Sequence, residues 1–383
     1  MTNDPAGLPA PAGSPPPSLP LSASEGMFEF PAVNVTYTPY LTHNPLPHWA
    51  VERVLLSPDL VPHILGPLEA EDGAAAAVCT QWLVGWKATN EPRRRLKQVP
   101  LDFPEEIDTD GMHNDMIGTG TPDGRLVVAT DSEVHILDRS MRVLQTVPGE
   151  YRGVIAANDD SIFHAINVSS GYVSIFEPVL RRSSHDGTVD AEYQLEDYKF
   201  FCPVLAPGGL LFCVIYMADD GDEIIALDAQ TMQLRQRFGR GLLSDAEQLA
   251  VGGDELYACD TGKNRLQVFS LTGEHRRSIT GEWRSPMSLC FAKDRLYLVE
   301  EGREEDEDGE SVDPAFPLQG RRILVLSLQG DILQVVTHPT EPSAFFRSIC
   351  CFDHKLLARY TYSIVGSADT HTRKYGMLAL QGM

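Results

Sequence analysis

The sequence predicts a mainly β fold, a six-bladed β-propeller preceded by a small α-helical module. Three observations carry the propeller. First, Glu247–Thr280 reads as four short strands: Gln248–Val251, Leu256–Cys259, Leu266–Ser270 and His275–Thr280. They are parted by Gly252-Gly253-Asp254, Asp260–Asn264 and Thr272-Gly273, residue types that accept the dihedrals of a tight reversal. Four antiparallel strands in about 35 residues cannot bury both faces alone. They need copies of themselves on either side, as the blades of a propeller do. Second, the copies are present. The second strand recurs at Arg125–Thr130, Ser161–Val168, Leu210–Met217, Glu255–Asp260, Arg295–Glu300 and Lys355–Tyr362. The third strand recurs at Val134–Asp138, Val173–Glu177, Ile224–Asp228, Leu266–Ser270, Ile323–Ser327 and Gly376–Leu380. Third, the last phrase has three strands before Met383, and an unpaired edge there would expose backbone groups. Arg94–Val99, within the segment 93–100, is the natural fourth strand, a non-covalent clasp that closes the ring. A β-sandwich with coincidental spacing is the alternative, but sandwiches rarely repeat one strand–turn–strand phrase so often.

In chain order, residues 1–26 are a Pro-, Ser- and Ala-rich tail, too poor in large apolar groups to offset the entropy of ordering. Residues 27–47 carry Phe28, Phe30, Tyr37 and Tyr40 among turn formers and read as an extended strap. Residues 48–92 differ in kind. Ser57 can cap a helix that begins at Pro58, and Leu60, Ile64, Leu65 and Leu68 then form an apolar stripe at helical spacing. Asp72 can cap a further helix running to Trp86. Residues 93–383 are the propeller.

Composition narrows the function. A net charge of −23 over 383 residues argues against a nucleic-acid surface, which needs Lys and Arg against phosphate. No apolar run reaches the ~20 residues of a membrane span, and the N-terminus lacks the basic-then-apolar pattern of a secretory signal. The seven cysteines read as reduced, mostly core residues of a cytoplasmic or nuclear protein. No phosphate loop, His-pair metal site or nucleophile elbow is present, so no catalytic residue, metal ligand or cofactor is expected.

Two segments resemble known families. Leu56-Ser57-Pro58-Asp59-Leu60, then Ile64-Leu65 and Leu68, Asp72, and Val78-Cys79-Thr80-Gln81-Trp82, resembles an F-box. Ser57 stands where that pattern has Pro, Pro62 falls inside the first helix, and Gly73 replaces a Leu. The resemblance implies binding to a Skp-type adaptor and through it a cullin, with Leu56, Pro58, Leu60, Ile64, Leu65, Leu68, Val78 and Trp82 as adaptor-binding residues. Leu256–Phe269, with Asp260, Gly262, Asn264 and Arg265, resembles the NHL repeat, and it does so in this blade alone.

Together they imply a substrate-recognition subunit of a Skp–cullin–F-box ubiquitin ligase, whose propeller holds a protein substrate and which is not itself a catalyst. A plain propeller interaction scaffold with a helical cap remains open. So does a propeller hydrolase or lyase, whose channel would be lined by Asn114 or Asp115, Gly153, Pro203, Glu247, Met287 and Arg347. The substrate face is expected to carry Asp108, Asp110, Asp115, Asp219, Asp220 and Arg347. The carboxylate-rich insertion Glu301–Gly320 reads either as a solvated loop or as an acidic rim that steers a basic partner.

Overall fold

The computed structural model describes residues 60–65, 83–85, 87, 94–105, 107, 118–130, 132–149, 155–169, 176–194, 199–216, 221–302, 316–365 and 371–382. The chain divides into two compact units, Met1–Val51 and Glu52–Met383. The first lies outside the described residues, and with it the expected tail and strap. In the second, the described residues include a short helix, α1 (Val61–Leu65), further helical residues at 83–85 and 87, and six four-stranded antiparallel sheets. The protein is a six-bladed β-propeller.

Blade 1 comprises β2 (Thr119–Gly120), β3 (Leu126–Ala129), β4 (Glu133–Leu137) and β5 (Val143–Pro148). Blade 2 comprises β6 (Ile155–Ala157), β7 (Ser161–Ser169), β8 (Phe176–Ser184) and β9 (Val189–Gln194). Blade 3 is β10 (Lys199–Ala206), β11 (Leu210–Tyr216), β12 (Asp222–Asp228) and β13 (Leu234–Leu243). Blade 4 is β14 (Ala246–Gly252), β15 (Glu255–Asp260), β16 (Arg265–Ser270) and β17 (His275–Thr280). Blade 5 is β18 (Pro286–Ala292), β19 (Arg295–Glu300), β20 (Arg322–Leu326) and β21 (Ile332–Thr337). Blade 6 takes β22 (Phe345–Phe352), β23 (Lys355–Val365) and β24 (His371–Gln381) from the C-terminal end, and its outer strand is β1 (Lys97–Val99).

The clasp starts later than the sequence suggests. Pairing with β24 begins at Lys97 opposite Gln381 and ends at Val99 opposite Ala379. Arg94 is held away from that register by blade 5: it bonds the Lys293 carbonyl and pairs with Asp294 at 2.5 Å, while Arg295 donates to its carbonyl at 3.0 Å. Leu96 follows, buried, with its N–H and C=O both satisfied by the Gln334 amide at 2.8 and 3.1 Å. The segment entering the propeller thus leans on the β18–β19 turn before it joins blade 6.

The hydrophobic core is split among the gaps between blades. Leu256 and Ala258 pack toward blade 3, whereas Tyr257 and Cys259, the alternate residues of β15, pack toward blade 5. β19 does the same, with Leu296 and Leu298 toward blade 4 and Tyr297 and Val299 toward blade 6. The middle strands are therefore buried on both sides, and Leu256–Cys259 is buried continuously. The outer strands β17 and β21 keep mostly exposed residues. A second departure concerns blade 2, where the third strand is Phe176–Ser184 rather than Val173–Glu177. β7 extends to Ser169 and pairs there with Phe176, so the register carries β8 past the apolar residues into Arg181–Ser184.

Candidate functional site

Two surfaces of the described residues have the makings of a recognition site: the helix α1 and the propeller face that carries the second-to-third-strand and inter-blade loops.

In α1, Pro62 sits in the first turn, where a missing N–H interrupts no helical bond. The expected disruption by Pro62 therefore does not arise. Ile64 donates its N–H to the Leu60 carbonyl at 3.0 Å. Val61 and Leu65 are fully buried, and a methyl group at Gly85 would collide with Val61 and crowd Leu65. The two segments therefore touch through a glycine. Leu60 and Ile64, four residues apart, are instead 41% and 37% exposed. Leu65 has no exposed surface and so offers no contact area as it stands. Of the expected adaptor set, Leu60 and Ile64 present open apolar surface. Leu56, Pro58, Leu68, Val78 and Trp82 lie outside the described residues.

On the loop face, blade 4 ends β15 at Asp260, which is fully buried. Its carboxylate accepts the Ser244 N–H at 2.7 Å, Arg265 Nε at 2.7 Å and Gln267 Nε2 at 3.2 Å. Arg265 and Lys263 also donate to the Leu242 carbonyl, at 3.0 and 2.9 Å. Between them the chain makes a single 3-10 turn, Thr261–Lys263, closed by Asn264 in the left-handed conformation (φ 54°), a region that Asn tolerates better than most residues. The Asn264 amide oxygen accepts the Ser285 N–H at 2.7 Å, which ties the turn to the next inter-blade loop.

Blade 5 builds the same clamp from different residues. Glu300, fully buried at the end of β19, accepts the Arg284 N–H at 2.9 Å and Arg322 Nε at 2.6 Å. Arg322 also donates to the Glu282 carbonyl at 2.8 Å. The carboxylate and the arginine are separated by the Glu301–Gly320 insertion, and that separation hides the equivalence in the sequence. A charged residue closing the second strand and an Arg opening the third is the signal that finds it. A third buried carboxylate was also missed. Asp222 opens β12, accepts the Ala246 N–H through one oxygen, and is held above the usual carboxylate range, first by burial.

The neck of the insertion is tight. A methyl group at Gly302 would strike the Phe345 ring, and one at Gly320 would strike Gly302. Phe346 donates its N–H to the Gly320 carbonyl at 2.8 Å. Three arginines stack on aromatic rings beside this neck. Arg347 donates to Thr361 Oγ1 at 3.1 Å and to the Gly302 carbonyl at 3.2 Å. The guanidiniums of Arg347 and Arg321 lie 5.8 and 4.7 Å from the Phe345 ring centre, and that of Arg284 lies 4.2 Å from the Phe316 ring. These contacts hold arginine planes on aromatic faces. Of the expected substrate-face residues, Arg347 is placed here, while Asp108, Asp110, Asp115, Asp219 and Asp220 lie outside the described residues. Among the described channel positions, Glu247 is the one carboxylate, and no group of three His, Cys, Asp or Glu among the described residues is placed to hold a metal ion.

No protein-family model matches the sequence, and no curated protein matches it. Solved structures similar to the chain include a protein of unknown function from Bacteroides caccae (10% identity, 61% of this chain and 82% of that one, TM-score 0.44). The RRP9 WD40 repeats are similar at 8% identity over 73% of this chain and 82% of that one, TM-score 0.46. BamB from Moraxella catarrhalis is similar at 12% identity over 67% of each chain, TM-score 0.38.

Proposed function

We propose that this protein is a substrate-recognition subunit of a Skp–cullin–F-box ubiquitin ligase, in which the helical module takes the adaptor and the loop face of the propeller takes a protein substrate. The observation that carries the reading is α1: Leu60 and Ile64 stand exposed on a helix whose other apolar pair, Val61 and Leu65, is buried. Two large aliphatics one turn apart make a ready anchor for a partner helix, and burying such a side chain contributes roughly 1.5–3 kcal/mol. The F-box resemblance names the partner class. On the propeller, clamped loops give rigid positions from which side chains can read a partner, and the acidic insertion favours a basic one.

The test is co-purification of the full chain with a Skp-type adaptor. Leu60→Glu together with Ile64→Glu should cut adaptor binding at least about tenfold and leave the melting of the propeller unchanged. The helical-cap reading draws on the burial of Val61 and Leu65. It predicts no adaptor on the parent protein, and its appearance there would end that reading.

A further inference from the structure

We propose that Cys290 and Cys351 are a redox-modification site, a thiol pair that closes to a disulfide between blades 5 and 6 on exposure to a hydroperoxide. The two sulfurs lie 2.9 Å apart at hydrogen-bonding distance, although 61 residues separate them in the chain. They come from β18 and β22, the inner strands of neighbouring blades, which pack side by side and are cross-bridged by the Ile349 N–H to Ser288 Oγ at 3.0 Å. A disulfide needs a sulfur separation of about 2.05 Å, so the pair must close by about 0.9 Å. Both thiols are half-buried and pack against the core between blades 5 and 6. Cys350 is directed elsewhere, into the core between blades 6 and 1, because successive residues of a strand face opposite ways. The cross-strand partner of Cys290 is Tyr297, whose buried hydroxyl has no hydrogen-bond partner among the described residues and feels both thiols. The pair therefore sits beside a polar group inside the blade gap.

In the proposed sequence the Cys351 sulfur, deprotonated to the thiolate, attacks first. Its thiolate attacks one peroxide oxygen. The O–O bond breaks, a sulfenic acid forms on Cys351, and hydroxide departs to take up the proton Cys351 had lost. Cys290 sulfur then displaces the sulfenic oxygen. The S–S bond forms, the S–O bond breaks, and the oxygen leaves as water with the Cys290 proton. Two thiols and one hydrogen peroxide give one disulfide and two waters, with two electrons passing from sulfur to oxygen. The new bond would tie blade 6, the blade closed by the non-covalent β1, to its neighbour, and it would constrain the unfolded chain across those 61 residues.

The experiment uses the full chain, reduced and then treated with hydrogen peroxide, alkylated under denaturing conditions and mapped as peptides by mass spectrometry. The expected result is one cross-linked species joining the Cys290 and Cys351 peptides, lighter by two hydrogens and released by dithiothreitol. The oxidised protein should melt at least about 3 °C higher than the reduced protein. Cys350→Ser should leave the cross-link in place, and Cys351→Ser should abolish it. Full alkylation of both cysteines after peroxide would overturn the proposal, as would a bond joining Cys290 to Cys350 or Cys350 to Cys351. The parent map decides the matter even where a variant folds poorly.

Discussion

Blades 4 and 5 solve one problem with unequal means. Each must hold an inter-blade loop against the end of its second strand, and each does so with a buried carboxylate, an arginine opening the third strand, and a carbonyl of the incoming segment. In blade 4 the carboxylate and arginine are Asp260 and Arg265, joined by one short turn. In blade 5 they are Glu300 and Arg322, and the chain between them makes an excursion through the acidic insertion. The longer side chain of Glu300 meets both Nε and a terminal nitrogen of Arg322, at 2.6 and 3.0 Å. Asp260 meets Arg265 through Nε and spends its remaining capacity on Gln267 and Ser244. The clamp is a property of where strands end, and local spacing in the sequence is incidental to it.

The largest effect should come from breaking the blade 5 clamp. Glu300→Ala strands Arg322, whose side chain is 14% exposed, together with the Arg284 N–H. Removing one member of so buried a pair costs about 3–5 kcal/mol, read as a drop in the urea midpoint at constant slope. Asp260→Ala should cost less, about 1–3 kcal/mol, because Arg265 is 26% exposed and can turn to water. A reversed order would refute the equivalence drawn between the two blades.

A pH titration sharpens the contrast. Blade 4 opens β15 with Glu255, which accepts from Arg277 at 2.9 Å and from Tyr257 at 2.6 Å, whereas blade 5 has Arg295 at the corresponding strand start. The Arg277 hydrogen bond draws the Glu255 carboxyl from 4.5 to about 2, against the opposing effect of burial. The folded value is the depressed one. The stabilisation is therefore complete above about pH 4.5 and is lost as the pH falls toward 2. With Arg277 partly exposed, ~1–2 kcal/mol is expected, and Glu255→Gln should flatten that part of the stability–pH curve. A variant as acid-sensitive as the parent would place the effect elsewhere. The smallest effect belongs to the insertion. Replacing residues 303–315 with a short Gly-Ser link should change stability by less than about 1 kcal/mol, since loop-closure entropy grows slowly with length and the neck at Gly302 and Gly320 remains. If the insertion steers a basic substrate, association should slow with salt in the parent and lose that dependence in the deletion.

Legibility followed local chemistry. Blade 4 could be read almost to the residue: the boundaries Glu255–Asp260 and His275–Thr280 were those of the structure, because Gly253, Asn264 and Gly273 mark each reversal with residues that accept positive φ. Blade 2 was read less well, since no apolar run marks the polar half of β8. The division of Leu60 and Ile64 from Val61 and Leu65 was not legible in the apolar stripe, because it depends on Gly85, some twenty residues onward. The Glu300–Arg322 clamp, the arginines stacked on Phe345 and the Cys290–Cys351 pair were likewise invisible to pattern.

By itself the sequence determined the repeat, the number of blades, and the need for an N-terminal strand to complete the last one. Those follow from hydrogen-bonding and burial rules that act over a few residues at a time and are repeated along the chain. The tertiary structure alone decided which charged groups meet, which leucines remain open and which thiols touch. These depend on which strand ends come to lie side by side, within one blade at the blade 5 clamp, where partners lie 22 residues apart, and between two blades at the thiol pair, where they lie 61 apart. Sequence spacing carries no record of such distances, because closing the ring brings the inner strands of successive blades together whatever length of chain lies between them.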